Sequence, residues 1–170
     1  MTEMQEIENT IPQELNIAEI RKYTKEAAPL IHCITNPISI HDCANIILAA
    51  GARPIMAEHP AEVAEITAVA SALMLNLGNI TDARIESIQR ALKEANRRKI
   101  PVLLDLVGVT CSSLRREFAR KLLADGRFAV IKGNISEILA AADLPFHGTG
   151  IDAGSQDAVS QANEARYCTT

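Results

Sequence analysis

Five short apolar runs, spaced by stretches of helical periodicity, constrain this chain more than any other feature. The runs are LIHCIT (30–35), RPIMA (53–57), ALMLNLG (72–78), PVLLDLVG (101–108) and FAVIKG (128–133). Each is of strand length and apolar at most positions, the pattern of a strand covered on both faces. Between them, apolar residues recur three and four apart. Residues 82–97 align Ile85, Ile88, Leu92 and Ala95, with Thr81 as N-cap. Residues 39–50 group Ile40, Cys43, Ala44, Ile47 and Leu48, and Gly51 supplies a left-handed stop. Residues 61–70 carry Val63, Ile66 and Val69. Residues 113–124 turn Leu114, Phe118 and Leu122 inward, with Ser112-Ser113 as the cap and Gly126 just past the end. An earlier helix covers 16–27 and stops before Pro29. Strands alternating with helices of this length form βαβ units, so the fold class is α/β, a parallel sheet covered by helices. Residues 1–13 read as a flexible leader and 14–170 as one domain. Past Ala142 the rhythm fails, leaving one short helix expected near 156–165 and no closing strand.

Composition narrows the function classes. A chain of 170 residues is long enough to bury a sizeable core. With no Trp, two Tyr and three Phe, that core must be aliphatic. The formal charge of −4, and a densest basic run of only Arg97-Arg98-Lys99, argue against a nucleic-acid partner. Cysteines 33, 43, 111 and 168 show neither C-x-x-C nor paired spacing with histidine, so they read as reduced thiols rather than a zinc site. Histidines 32, 41, 59 and 147 share no metal-ligand spacing and read as structural or exposed. No segment has signal-peptide character or approaches the ~20 apolar residues of a membrane span. The expectation is a cytoplasmic protein with no membrane partner.

Ligands of open parallel sheets bind beyond the carboxyl ends of the strands. There the sequence delivers Thr35-Asn36, Met56-Ala57-Glu58, Asn76-Leu77-Gly78-Asn79, Asp105-Leu106-Val107-Gly108 and Lys132-Gly133-Asn134. Turn chemistry alone favours Asn, Asp and Gly at such places. Asp105 is harder to explain that way. It directly follows Val102-Leu103-Leu104, and a buried carboxylate is costly unless paired, hydrogen-bonded or bound to a metal. Lys132, at another strand end, is a candidate partner. Asn134 with Glu137 three residues on matches a capping box, and a capped helix start can also face an anion. Neither G-x-x-x-x-G-K-[ST], G-x-G-x-x-G nor G-x-S-x-G occurs, which disfavours phosphate-loop enzymes and serine hydrolases.

The segments PLIHCITNPISIHDCAN, GARPIMAEHPAEV, ALMLNLGNI, PVLLDLVGV and AVIKGNISEI together resemble the hydroxyethylthiazole kinases of thiamine biosynthesis, within the ribokinase-like superfamily. The likeness runs in register from about residue 14 to about 160. It implies magnesium- and ATP-dependent phosphorylation of the hydroxyl of 4-methyl-5-(2-hydroxyethyl)thiazole, by a homotrimer with pockets between subunits. It assigns Asn36, Ile38, Met56 and Gly78 to the thiazole, Asp105 and Glu137 to magnesium and its waters, and Lys132 with Asn134 to ATP.

Three departures qualify that expectation. Leu106 stands where the family usually has Pro, and Lys132 where it usually has Arg, keeping the charge but losing the bidentate fork. The family also continues well past EARYCTT, so the chain reads as truncated at its C-terminus. The glycine-rich anion hole, the hydroxyl-activating residue and most of the adenine pocket are expected in that further part, and no catalytic residue within this chain. A non-catalytic remnant keeping part of the thiazole surface is the alternative. A repair enzyme for hydrated nicotinamide cofactors is a third, opposed by H-C-I-T-N and P-I-M-A.

Overall fold

The structure, a computed structural model, describes residues 16–148 and 152–154. The expected leader and the helix expected near 156–165 lie outside the described residues. Within them, helices α1 (Ile17–Ala27), α2 (Ile40–Ala50), α3 (Val63–Val69), α4 (Asp82–Arg98), α5 (Ser113–Asp125) and α6 (Ile135–Ala141) alternate with strands. The strands are β1 (Leu30–Ile34), β2 (Arg53–Ile55), β3 (Ala72–Asn76), β4 (Val102–Asp105) and β5 (Val130–Lys132). They form one all-parallel sheet in the order β2-β1-β3-β4-β5. Each element falls within the segment where periodicity placed it, give or take a residue or two at the ends.

Local chemistry explains the boundaries. Asn16, Thr81 and Ser112 each accept from the backbone N–H three residues on, satisfying a donor that the helix leaves unpaired. Gly51 ends α2 in the left-handed conformation at φ 96°. Before α2, Asn36 Oδ1 accepts from Ile38 N–H (3.0 Å) and Ser39 N–H (3.2 Å), an Asx turn that does the work of a cap. At the end of α4, Arg97 and Arg98 sit at the negative pole of the helix and pair with Glu94. Hydrogen bonds from these two arginines pull the Glu94 carboxyl down to about 2.

The two faces of the sheet differ. Side chains alternate across it, so register partners share a face. One face carries Ile34, Leu73, Leu75, Val102 and Leu104, all essentially inaccessible. Against them pack Val63 of α3, Ile88, Ala91, Leu92 and Ala95 of α4, and Phe118, Ala119 and Leu122 of α5. The opposite face carries Ile31, Cys33, Met74, Leu103 and Val130, of which Cys33 alone is fully buried. Helices α1 and α2 contribute nothing to the buried core. Coverage of the strands is uneven: β5 is an edge, with Val130 50% and Ile131 44% exposed. Three inward assignments also change. Leu48, Val69 and Leu114 are exposed, while Thr67 of α3 and Ala119 of α5 point into the core instead.

Among the described residues no helix is long and apolar enough to cross a membrane. Cys33, Cys43 and Cys111 are free thiols. Burial pushes the Cys33 thiol up to about 12, which keeps its sulfur protonated and unreactive near neutrality.

Candidate functional site

A sheet ordered 2-1-3-4-5 reverses direction between its first and third strands, and the crevice beyond their carboxyl ends is where ligands settle. The polar side chains gather along that edge. Register pairs Asn76 of β3 with Asp105 of β4, and Asp105 with Lys132 of β5. These three therefore form one row on the less covered face of the sheet, at its carboxyl end.

Hydrogen bonds run along the row. Lys132 Nζ lies 3.3 Å from both Asp105 oxygens. Asn76 Nδ2 donates to Asp105 Oδ2 (3.1 Å), and the Val107 N–H donates to Oδ1 (3.2 Å). Asp105 is buried, and these donors repay the loss of water that a carboxylate would otherwise suffer. The Asn76 amide is oriented by its neighbours: its oxygen accepts from Gly78 N–H (2.8 Å) and from Asn36 Nδ2 (3.3 Å), leaving its nitrogen for Asp105. Gly78 tolerates no side chain here, since a Cβ would stand 2.8 Å from Asn76 Oδ1 and 3.0 Å from Asn36 Nδ2.

Glu137 enters from beneath. Asn134 and Glu137 form the anticipated capping box: Asn134 Oδ1 accepts from Glu137 N–H (2.9 Å), and Glu137 Oε2 accepts from Asn134 N–H (2.8 Å). Its other oxygen accepts from Gly108 N–H (2.8 Å). Gly108 adopts φ 75°, a conformation only glycine takes at little cost, and this aims its N–H at the carboxylate. The buried Glu137 thus joins α6 to the loop that follows Asp105.

The remaining candidates flank the row. Asn36 is half-buried and hydrogen-bonded to Asn76, whereas Ile38 is 94% exposed. Met56 is half-buried in the loop after β2. That loop is pinned by His32, whose Nε2–H donates to the Ala57 carbonyl (2.8 Å). This fixes the tautomer, so Nδ1 accepts from the Thr67 hydroxyl at 2.8 Å. Histidines 41, 59 and 147 are exposed, as expected. No group of three or more His, Cys, Asp or Glu suited to a metal occurs among the described residues.

Sequence reasoning missed three contributors. Asn76 was visible as a strand-end residue, but only the register shows that it joins Asn36 to Asp105. Arg84 and Arg115 were not singled out by any motif. Arg115 donates to the carbonyls of Leu77 and Gly78, and Arg84 to those of Thr35 and Asn79. One signal was present: Arg84 lies four residues before Ile88, on the face of α4 that turns inward.

An open parallel α/β sheet, with an Asn–Asn–Asp–Lys row across its switch-point edge, defines an α/β domain whose candidate site pairs an acid with a cation. Comparison with known proteins narrows the class. The chain belongs to the hydroxyethylthiazole kinase family, whose model matches residues 21–168. It is 54% identical over 145 residues to hydroxyethylthiazole kinase 2 of Clostridium botulinum strain 657, covering 85% of this chain and 55% of that protein. With the hydroxyethylthiazole kinase of Clostridium acetobutylicum it shares 50% identity over 131 residues, 77% of this chain and 48% of the relative. The solved hydroxyethylthiazole kinase of Pyrococcus horikoshii OT3 superposes with a TM-score of 0.71 at 35% identity, covering 75% of this chain and 50% of that one. The chain therefore spans about half the length of the relatives it matches.

Proposed function

We propose that the row is the thiazole- and phosphate-binding edge of an ATP-dependent kinase acting on the hydroxyl of 4-methyl-5-(2-hydroxyethyl)thiazole, in thiamine biosynthesis. The observation that carries this reading is the continuous line Asn36–Asn76–Asp105–Lys132 at the carboxyl edge of a chain from this family. Asn36, Ile38, Met56 and Gly78 would face the thiazole. Lys132 would face the ATP phosphates, beside the turn that Asn134 caps.

The acids fit magnesium. That ion favours oxygen donors, keeps several waters, and takes one or two carboxylates together with substrate phosphates. Each Glu137 oxygen holds one backbone donor and retains a second lone pair. Asp105 is held by Lys132 at 3.3 Å, a long contact to a largely exposed amine that reorients at little cost. Asp105 and Glu137 would hold the ion through water, and it would neutralise charge on the phosphate oxygens. Lys132 can then turn from Asp105 to the nucleotide, adding a second positive charge where phosphoryl transfer needs it.

The exposure of Ile38 supports a pocket completed by another copy, because a residue 94% exposed lines nothing by itself; the family resemblance implies that the assembly is a homotrimer. Free thiols accord with a cytoplasmic setting.

A second reading, a non-catalytic remnant that keeps part of the thiazole surface, differs from the first in lacking phosphoryl transfer. One experiment separates the two. Purified chain is titrated with the thiazole alcohol, then assayed for thiazole-dependent ADP formation with ATP and magnesium. Binding with ADP formation supports the kinase and binding without it the remnant, and Asp105→Asn should abolish the magnesium dependence of ATP binding. Sustained turnover would discard the remnant, and absence of thiazole binding would discard both.

A further inference from the structure

Arg84 is badly placed for an ordinary surface cation. It lies in the first turn of α4, where the helix dipole repels positive charge, and it is only 4% exposed. Burial of a guanidinium against the dipole persists only with good partners. It has three, one on each of three strand-end loops. Its Nη2 donates to the Thr35 carbonyl after β1 and to Glu58 Oε2 after β2. Its Nη1 lies 3.3 Å from the Asn79 carbonyl after β3. Ser87, one position short of a full turn further on, holds the Glu58 carbonyl at 2.7 Å.

Each anchored residue stands one or two positions from a residue of the proposed thiazole surface: Thr35 beside Asn36, Glu58 two after Met56, Asn79 beside Gly78. No backbone hydrogen bond joins β2 to β3, which lie on opposite sides of β1. The loops after these two strands are therefore not fixed against each other by the sheet ladder alone. The planar fork of one guanidinium spans them.

We propose that Arg84 is a positioning residue for the thiazole alcohol, setting the relative placement of the loops that carry Asn36, Met56 and Gly78, with Glu58 as its charge partner. The proposal rests on the reading of that surface given above. Arg84 acts through these loops and touches no substrate itself. Lysine cannot replace it, because a single ammonium lacks the fixed geometry to meet three acceptors on three loops.

The test uses the isotope-labelled chain and two variants, Arg84→Lys and Glu58→Ala, titrated with 4-methyl-5-(2-hydroxyethyl)thiazole and followed by nuclear magnetic resonance. Glu58→Ala leaves Arg84 its two carbonyl acceptors, so the chain should still fold, with a lowered melting temperature. In Glu58→Ala the Met56 methyl signal should move and thiazole affinity fall by roughly tenfold, equivalent to ~1.4 kcal/mol. The Asn36 and Asn76 side-chain amide signals should stay in place. In Arg84→Lys the signals of all three loops should move together. Loop signals at wild-type positions in both ligand-free variants would overturn the proposal. So would unchanged affinity in Glu58→Ala. If Arg84→Lys does not fold, Glu58→Ala decides alone. If the wild-type chain binds no thiazole, the pocket reading fails, while the ligand-free spectra still decide whether Arg84 sets the loops.

Discussion

At the scale of single residues, the clearest consequence concerns His32. Its ring is inaccessible and its tautomer is fixed between Ala57 and Thr67. Burial lowers its pKa below the ordinary 6.5, and the Ala57 and Glu62 contributions oppose this without reversing it. The folded state therefore prefers the neutral ring. Above 6.5 neither state binds the proton and nothing is lost. As pH falls below 6.5 the unfolded chain protonates first, so stability should decline until the folded-state pKa is passed. A melting temperature flat above neutrality and falling below it is expected, with the slope reduced in His32→Gln. An equal slope in the variant would assign the effect elsewhere. Glu94 contributes in a separate window: its carboxyl drops from 4.5 to about 2, so its share is present above 4.5 and disappears as pH falls toward 2. Protonation keeps the Nε2–H donation to Ala57 but ends the acceptance from Thr67 at Nδ1, so the contact between β1 and α3 is the one that should loosen.

At the scale of elements, α6 shows how local chemistry and the site are joined. Removing the cap with Asn134→Ala should cost ~1 kcal/mol, the usual value for an N-cap. Glu137→Ala removes the partner of two backbone donors, Asn134 N–H and Gly108 N–H. With each unsatisfied buried donor costing ~1–3 kcal/mol, it should be the more damaging of the two. Urea titration of both variants checks the order; equal losses would mean that the Gly108 link carries no energy. The capping box was legible because it is a pattern of adjacent residues. Strand and helix positions were legible for the same reason, through their periods. The buried face of a helix was less so. In α3 the inward stripe passes through Val63, Thr67 and Ala70, one position off the Val69 that hydrophobicity favours. In α5, Leu114 lies in the first turn, a full turn ahead of the buried Phe118. The Asp105–Lys132 pair was anticipated from chemistry, since a buried acid needs a partner. Asn76 and Arg84 were not, because their distant partners lie 26 to 49 residues away, brought together by strand register for Asn76 and by the packing of α4 for Arg84.

At the scale of the whole molecule, the unequal sheet faces decide how the chain behaves in solution. The core lies on one side, between the sheet and α3, α4 and α5. The other side leaves Met74 and Leu103 partly open and Val130 exposed. Ile17, Tyr23, Ile46 and Leu48 of α1 and α2 are exposed as well. Strand β5 ends the sheet, and an edge strand presents its free backbone groups for pairing with another chain. Proteins blunt such edges with charge, but here the charge is confined to Lys132, which is turned to Asp105. The 170-residue chain should therefore self-associate with rising concentration and bind a hydrophobic dye while folded. Val130→Lys places a charge on the open face and edge together, and should lower both association and dye binding. The Lys132–Asp105 row occupies the same face, so any surface that covers β5 also encloses the site. Sedimentation velocity across a concentration series is the measurement. A monodisperse monomer that melts sharply and binds no dye would show that the open face is closed by other means.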